Sequence, residues 1–108
     1  MIEILILNLK AGTRVAFHQL YITASLPLQK KWNIEVLAHG HSLHDENNYY
    51  VIRSFKSLED RQETEDAFYS SDDWQKGTRT AILAMIENYV AIVVSEESLE
   101  KWLNVIKK

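Results

Sequence analysis

The sequence predicts an α+β domain of order β-α-β-β-α-β, in which a four-stranded antiparallel sheet carries both helices on one face. Three observations predict it. Short apolar runs that end in turn residues alternate with stretches whose apolar residues recur at three-and-four spacing. The two middle strand runs are separated by turn formers and therefore read as a hairpin. Right-handed crossovers then bring both helices to the same side of the sheet.

Ile2 to Leu9 is apolar on both alternating faces and reads as a central strand covered on both sides. Lys10-Ala11-Gly12-Thr13 breaks it, with Thr13 as helix N-cap. From Arg14 to Ser25 the residues Phe17, Leu20, Tyr21 and Ala24 form an amphipathic stripe, and Pro27 is expected to stop the helix. Trp32 to His39 reads as the second strand, with Trp32, Ile34, Val36 and Ala38 on one face and Glu35, Leu37 and His39 on the other. Gly40 marks a bulge or bend. After the turn formers His44 to Asn48, the aromatic and β-branched run Tyr49 to Phe55 completes the hairpin.

Ser57-Leu58-Glu59-Asp60 resembles a capping box that opens a helix with a buried stripe at Leu58, Arg61 or Gln62, Glu65 and Phe68. A second cap at Ser70 or Ser71 restarts helix, and Trp74, Ala81, Ile82, Met85 and Ile86 continue the apolar stripe with Gly77 inside it. Tyr89 to Val94 is the fourth strand, again apolar on both faces. Leu99, Trp102, Leu103 and Ile106 predict a short docked helix over about residues 98–106. Residues 1–108 thus read as a single domain.

Hydrophobic content of 46% and charged content of 25% are those of a globular chain. A formal net charge of −3 provides no clustered positive field for a phosphate backbone, so nucleic acid is not an expected partner. The absence of cysteine removes disulfides, thiolate metal sites and cysteine nucleophiles together. The opening run carries Glu3 and no basic leader, so it reads as a strand and not a signal peptide. No apolar stretch approaches the ~20 residues of a membrane span. A cytoplasmic protein with no membrane partner is the expectation.

With both helices on one face, the apolar residues of the other face need a cover, each being worth roughly 1.5–3 kcal/mol on full burial. A second sheet packed about 10 Å away through a twofold axis would supply it, which predicts a homodimer; the C-terminal helix could fold across that face instead, but roughly ten residues cover too little of it.

The chain resembles the NIPSNAP family, within the dimeric α/β barrels that include antibiotic-biosynthesis monooxygenases, muconolactone isomerases and chlorite dismutase. The resemblance rests on Lys10-Ala11-Gly12 after the first strand, Leu26-Pro27-Leu28, the phrase from Tyr50 to Arg61, and Ser70-Ser71-Asp72-Asp73-Trp74. Arg61 and Trp74 stand where the family pattern places its helix arginine and its tryptophan, while Phe55 replaces a frequent tryptophan. The resemblance implies a ferredoxin-like subunit, a homodimeric barrel and a pocket between each sheet and its own helices. It does not imply a reaction, since the fold hosts cofactor-free oxygenation, isomerisation, haem chemistry and plain binding. Haem-degrading relatives use a histidine soon after the Ser-Asp-aromatic segment; this chain has none beyond His44, so haem is not expected.

Six residues are candidates for the pocket: Arg53, His39, His41, Tyr50, Trp74 and Arg61. His39 and His41, with His44, Asp45 or Glu46, could supply metal ligands, but a polar pair near a strand end is the simpler reading, and no metal or other cofactor is expected. Arg53 shares a sheet face with Tyr49, Val51 and Phe55, where a charge requires a partner; an ion pair with Glu65 is favoured over a ligand anion. Arg61 could pair with Glu65 one turn on or project to the pocket mouth. Trp74 reads as a core anchor, Tyr49 and Tyr50 as ordinary strand residues, and His18 as a boundary residue. The acidic run from Glu59 to Asp73 reads as a solvated helix surface. A small-molecule enzyme without cofactor and a non-catalytic binding or interaction module are both compatible with these residues.

Overall fold

The computed structural model describes residues 1–106. The strands β1 (Ile2–Leu9), β2 (Glu35–His41), β3 (Asn48–Ser54) and β4 (Ile86–Val94) form one sheet of order β2-β3-β1-β4 with antiparallel neighbours throughout. Helices α1 (Arg14–Leu20) and α2 (Leu26–Lys31) make the first crossover, and α3 (Leu58–Ser70), α4 (Asp72–Gln75) and α5 (Arg79–Ala84) the second. α6 (Glu96–Ile106) follows the last strand. The core lies between one sheet face and the crossovers, around Leu7, Phe17, Tyr49, Val51, Phe68 and Ile82.

Pro27 does not end the first helix. Tyr21–Ser25 forms a π-helical turn in which the Leu26 N–H donates to Tyr21 O, and Pro27 follows in the first turn of α2. The chain therefore stays helical to Lys31, and Trp32, expected in the second strand, becomes the helix C-cap. Asn33 follows at φ 61°, taking the left-handed position usually given to glycine.

The second strand thus starts at Glu35, and its bulge lies between Val36 and Ala38, not at Gly40. This bulge changes the parity of the strand. Val36 pairs with Arg53, while His39 and His41 pair with Val51 and Tyr49, so all three take the helix-side face and Ala38, opposite Ile52, takes the outer one. Gly40 serves a different need: a Cβ there would stand 3.2 Å from the Tyr50 hydroxyl.

Ser57 caps α3 by accepting from the Asp60 N–H at 3.0 Å, while Asp60 Oδ2 accepts from the Lys56 N–H at 3.0 Å. Leu58 is exposed, so the inward face of α3 is carried by Arg61, Glu65 and Phe68. Ser71 caps α4. The helix then breaks around Gly77, where a Cβ would lie 2.2 Å from Asp73 O, and restarts as α5. Trp74 is buried against Phe68 and Tyr69, at ring-centroid distances of 5.6 and 5.4 Å, and its neighbour Asp73 accepts from Trp32 Nε1 and Lys31 Nζ. In α6, Leu99 is half-buried and Leu103 exposed; the Trp102 and Ile106 side chains of the expected docking stripe lie outside the described residues.

On the outer face, Ile4, Ile6, Tyr50, Ile52, Val90, Ile92 and Val94 alternate with the inward residues. Ile6, Val90 and Ile92 are 41%, 63% and 51% exposed.

Candidate functional site

Between the helix-side face of the sheet and α1 to α5 lies a cleft of about 530 Å³. Leu5, Leu7, Phe17, Val51, Phe68 and Ile82 give it apolar walls. Its polar floor is set by strand parity. Glu3 on β1 sits directly opposite Arg53 on β3, and both point inward, where α3 lays Arg61 and Glu65 over them.

These four residues form a closed ring of alternating charge. Arg53 Nη2 contacts Glu3 Oε1 and Glu65 Oε1 at 2.6 Å each, and Arg61 Nε reaches Glu3 Oε2 at 2.6 Å and Glu65 Oε2 at 3.1 Å. Glu3 and Arg53 are 0% and 2% exposed, so neither charge is shared with solvent. Arg53 is fully occupied by the protein: Nε donates to Glu3 at 2.7 Å, and Nη1 donates to Gln29 Oε1 at 3.1 Å and to the Tyr69 hydroxyl at 3.0 Å. The Glu65 partner expected for Arg53 is present, and Glu3 is a second one, brought opposite it by the β1–β3 register. Arg61 pairs with Glu65 and also lines the cleft. It bonds through Nε alone, and among the described residues nothing accepts from its terminal amino groups.

The two carboxylates differ in their proton affinity. Burial pushes Glu3 up, but the Arg53 charge and the hydrogen bonds around it outweigh burial and hold it below its usual value. Burial, then its contact with Glu3, pushes Glu65 up to about 7. Glu65 is thus the member of the ring that exchanges a proton near neutrality.

His39 and His41 do not line this cleft; with His18 they surround Tyr49 beside it. The Tyr49 hydroxyl lies 2.9 Å from His18 Nδ1 and 3.0 Å from His39 Nδ1. A phenol has one hydrogen to give, so one imidazole accepts at Nδ1 while the other donates. The His18 and His41 rings are 4.9 Å apart, and His41 Nδ1 is buried without a partner. His18, read from the sequence as a boundary residue, joins the cluster because the bulge in β2 turns both strand histidines toward α1. No group of three potential ligands among the described residues is disposed to hold a metal ion. Tyr50 points to the outer face, opposite in parity to Tyr49 and Arg53, so it is removed from the cleft. Trp74, Arg53 and Arg61 line it.

Burial lowers the pKa of His39 and His41, with His18 adding to the effect on both and Arg14 on His41. The unfolded chain then binds these protons more tightly, so their contribution to stability is present above about pH 6.5 and is lost as pH falls below it. Glu65 has the opposite sign, stabilising increasingly as pH falls from about 7 toward 4.5. The histidine contribution therefore emerges as a difference. A His39→Gln, His41→Gln double variant should gain in urea midpoint relative to the parent as the pH falls through this range, and a constant gap would contradict the sign.

The strand order and the helices on one face define a ferredoxin-like α+β subunit. The NIPSNAP family model matches residues 2–96, and the chain belongs to that family. Among solved structures, it is similar to a NIPSNAP family protein of unknown function from Agrobacterium tumefaciens, at 23% identity over 86% of this chain and 84% of that one, with a TM-score of 0.79. A NIPSNAP domain protein from Burkholderia xenovorans is 15% identical over 88% and 94% of the two chains, with a TM-score of 0.76. A putative antibiotic biosynthesis monooxygenase from Nitrosomonas europaea shares the fold at 14% identity over 87% and 95%, with a TM-score of 0.63. No curated protein matches the chain. Among the described residues no helix is long and apolar enough to cross a membrane.

Proposed function

We propose that the chain works as a homodimer that binds a small, largely apolar molecule in the cleft between its sheet and its helices. The observation that carries this reading is the cleft itself. Its volume of about 530 Å³ falls within the range of ordinary ligand sites, and it combines apolar walls with a few convergent polar groups. The closed ion ring pairs the charges of the floor within the protein itself. The exposed Ile6, Val90 and Ile92 supply an apolar face of the kind a second sheet covers.

A second reading, cofactor-free oxygenase or isomerase chemistry in the same cleft, is favoured by one feature. Glu65 lies on the cleft wall with its carboxyl pushed up to about 7, which suits a group that gives and takes protons. The relation to a putative monooxygenase adds an analogy of fold only.

Ala91 tests the binding reading. It lines the cleft from β4 and is exposed, so a larger side chain there enters open space. Ala91→Trp should fill the cavity, weaken a cleft ligand found by an NMR fragment screen by at least about tenfold, equivalent to ~1.4 kcal/mol, and leave the melting temperature nearly unchanged. Undiminished binding would place the ligand elsewhere.

A further inference from the structure

The two arginines of the ring are not equivalent, and the difference indicates which chemistry the cleft accepts. All three nitrogens of Arg53 are engaged by protein groups, so it has nothing to offer a ligand. Arg61 hydrogen-bonds the ring through Nε, and its terminal amino groups make no hydrogen bond among the described residues. Its side chain is 24% exposed on the cleft lining, beside apolar walls. A guanidinium edge in such surroundings is matched by the paired oxygens of a carboxylate.

With both carboxylates ionised the ring is neutral, two guanidinium groups against two carboxylates. An anion added at Arg61 would leave an excess negative charge beside Glu3 and Glu65, in a setting where like charges are poorly screened. We propose that the cleft takes a small monocarboxylate with an apolar body on the free edge of Arg61, and takes it together with one proton on Glu65. This rests on the cleft-binding reading and adds the chemical class of the ligand to it.

Glu65 is the member of the pair that can accept the proton. Glu3 is 0% exposed and clamped by both arginines, whereas Glu65 is 15% exposed on the cleft side. The groups facing Glu65 are Glu3 from β1, Arg53 from β3, and Arg61 and Tyr69 from its own helix. Asp66, the next acid along α3, lines the cleft with its carboxylate held by Gln62 at 2.9 Å. With Glu65 already near its midpoint at neutral pH, one further negative charge is enough to neutralise it.

Calorimetric titration of the full chain with 3-phenylpropanoate, and separately with 3-phenylpropanamide, tests this. The carboxylate should bind more weakly as pH rises above about 7, by close to tenfold per pH unit, because one proton accompanies it. The amide should bind without pH dependence. Glu65→Gln should flatten the carboxylate profile, and Arg61→Gln should abolish the preference for carboxylate over amide. Equal, pH-independent binding of both probes would overturn the inference while leaving the cleft reading standing. Binding of neither would remove that reading and the inference with it.

Discussion

Replacing Arg53 by Leu should lower stability by about 3–5 kcal/mol, because it removes one partner from a buried ionic group and leaves the others uncompensated. For a domain of this size that corresponds to a fall in melting temperature of roughly 12–20 °C. The cause lies in Glu3, which is 0% exposed and would keep only Arg61. Had Arg53 met a single, half-solvated acid, leucine would have been harmless or stabilising. The second acid from β1 makes the substitution costly. Glu65→Gln provides the contrast: ionised Glu65 already stands at a disadvantage, as its raised pKa shows, so the amide should cost little or add stability above about pH 7. Thermal denaturation of the two variants side by side distinguishes the cases. An Arg53→Leu protein as stable as the parent would mean that the buried acids are protonated or hydrated instead of clamped.

Ile6→Asp should convert the proposed dimer into monomers with little effect on the core of each subunit. Ile6 stands on the central strand β1 between Tyr50 and Val90, on the face away from the helices, and is 41% exposed in the lone chain. An aspartate there is solvated in a monomer but buried and unpaired between two sheets. At about 3 kcal/mol per copy, acting twice across a twofold axis, the dissociation constant should rise roughly 10⁴-fold. Size-exclusion chromatography coupled to light scattering reads the change directly. Retention of the dimer by this variant would move the interface to another surface.

Much of the fold was legible because hydrophobic period and turn chemistry agree along most of the chain. The positions and type of β1, β3 and α3 follow from such agreement. Where the structure departs from expectation, a local device intervenes that periodicity does not report. The π-turn at Tyr21–Ser25 lets the chain pass Pro27 in helical form, and Asn33 then stops it where no glycine gives warning. The bulge between Val36 and Ala38 follows from no residue that marks it, yet it decides that His39 and His41 face α1.

The candidate site was half legible for the same reason. A charge at Arg53 on an apolar strand face signals a partner, and Glu65 is an acid on the stripe of α3 that the sequence predicts to be buried. Glu3 was hidden inside an apolar run that reads simply as strand, although a lone acid there was itself the available signal. Tyr50 shows the reverse error, since an aromatic doublet does not reveal which ring enters the pocket until the strand's parity is known.

The proposed dimer requires a second copy to cover the outer sheet face, and sedimentation equilibrium at micromolar concentration tests that directly. The expected result is a single species of twice the 12.6 kDa chain mass. A folded particle at the mass of one chain would contradict it.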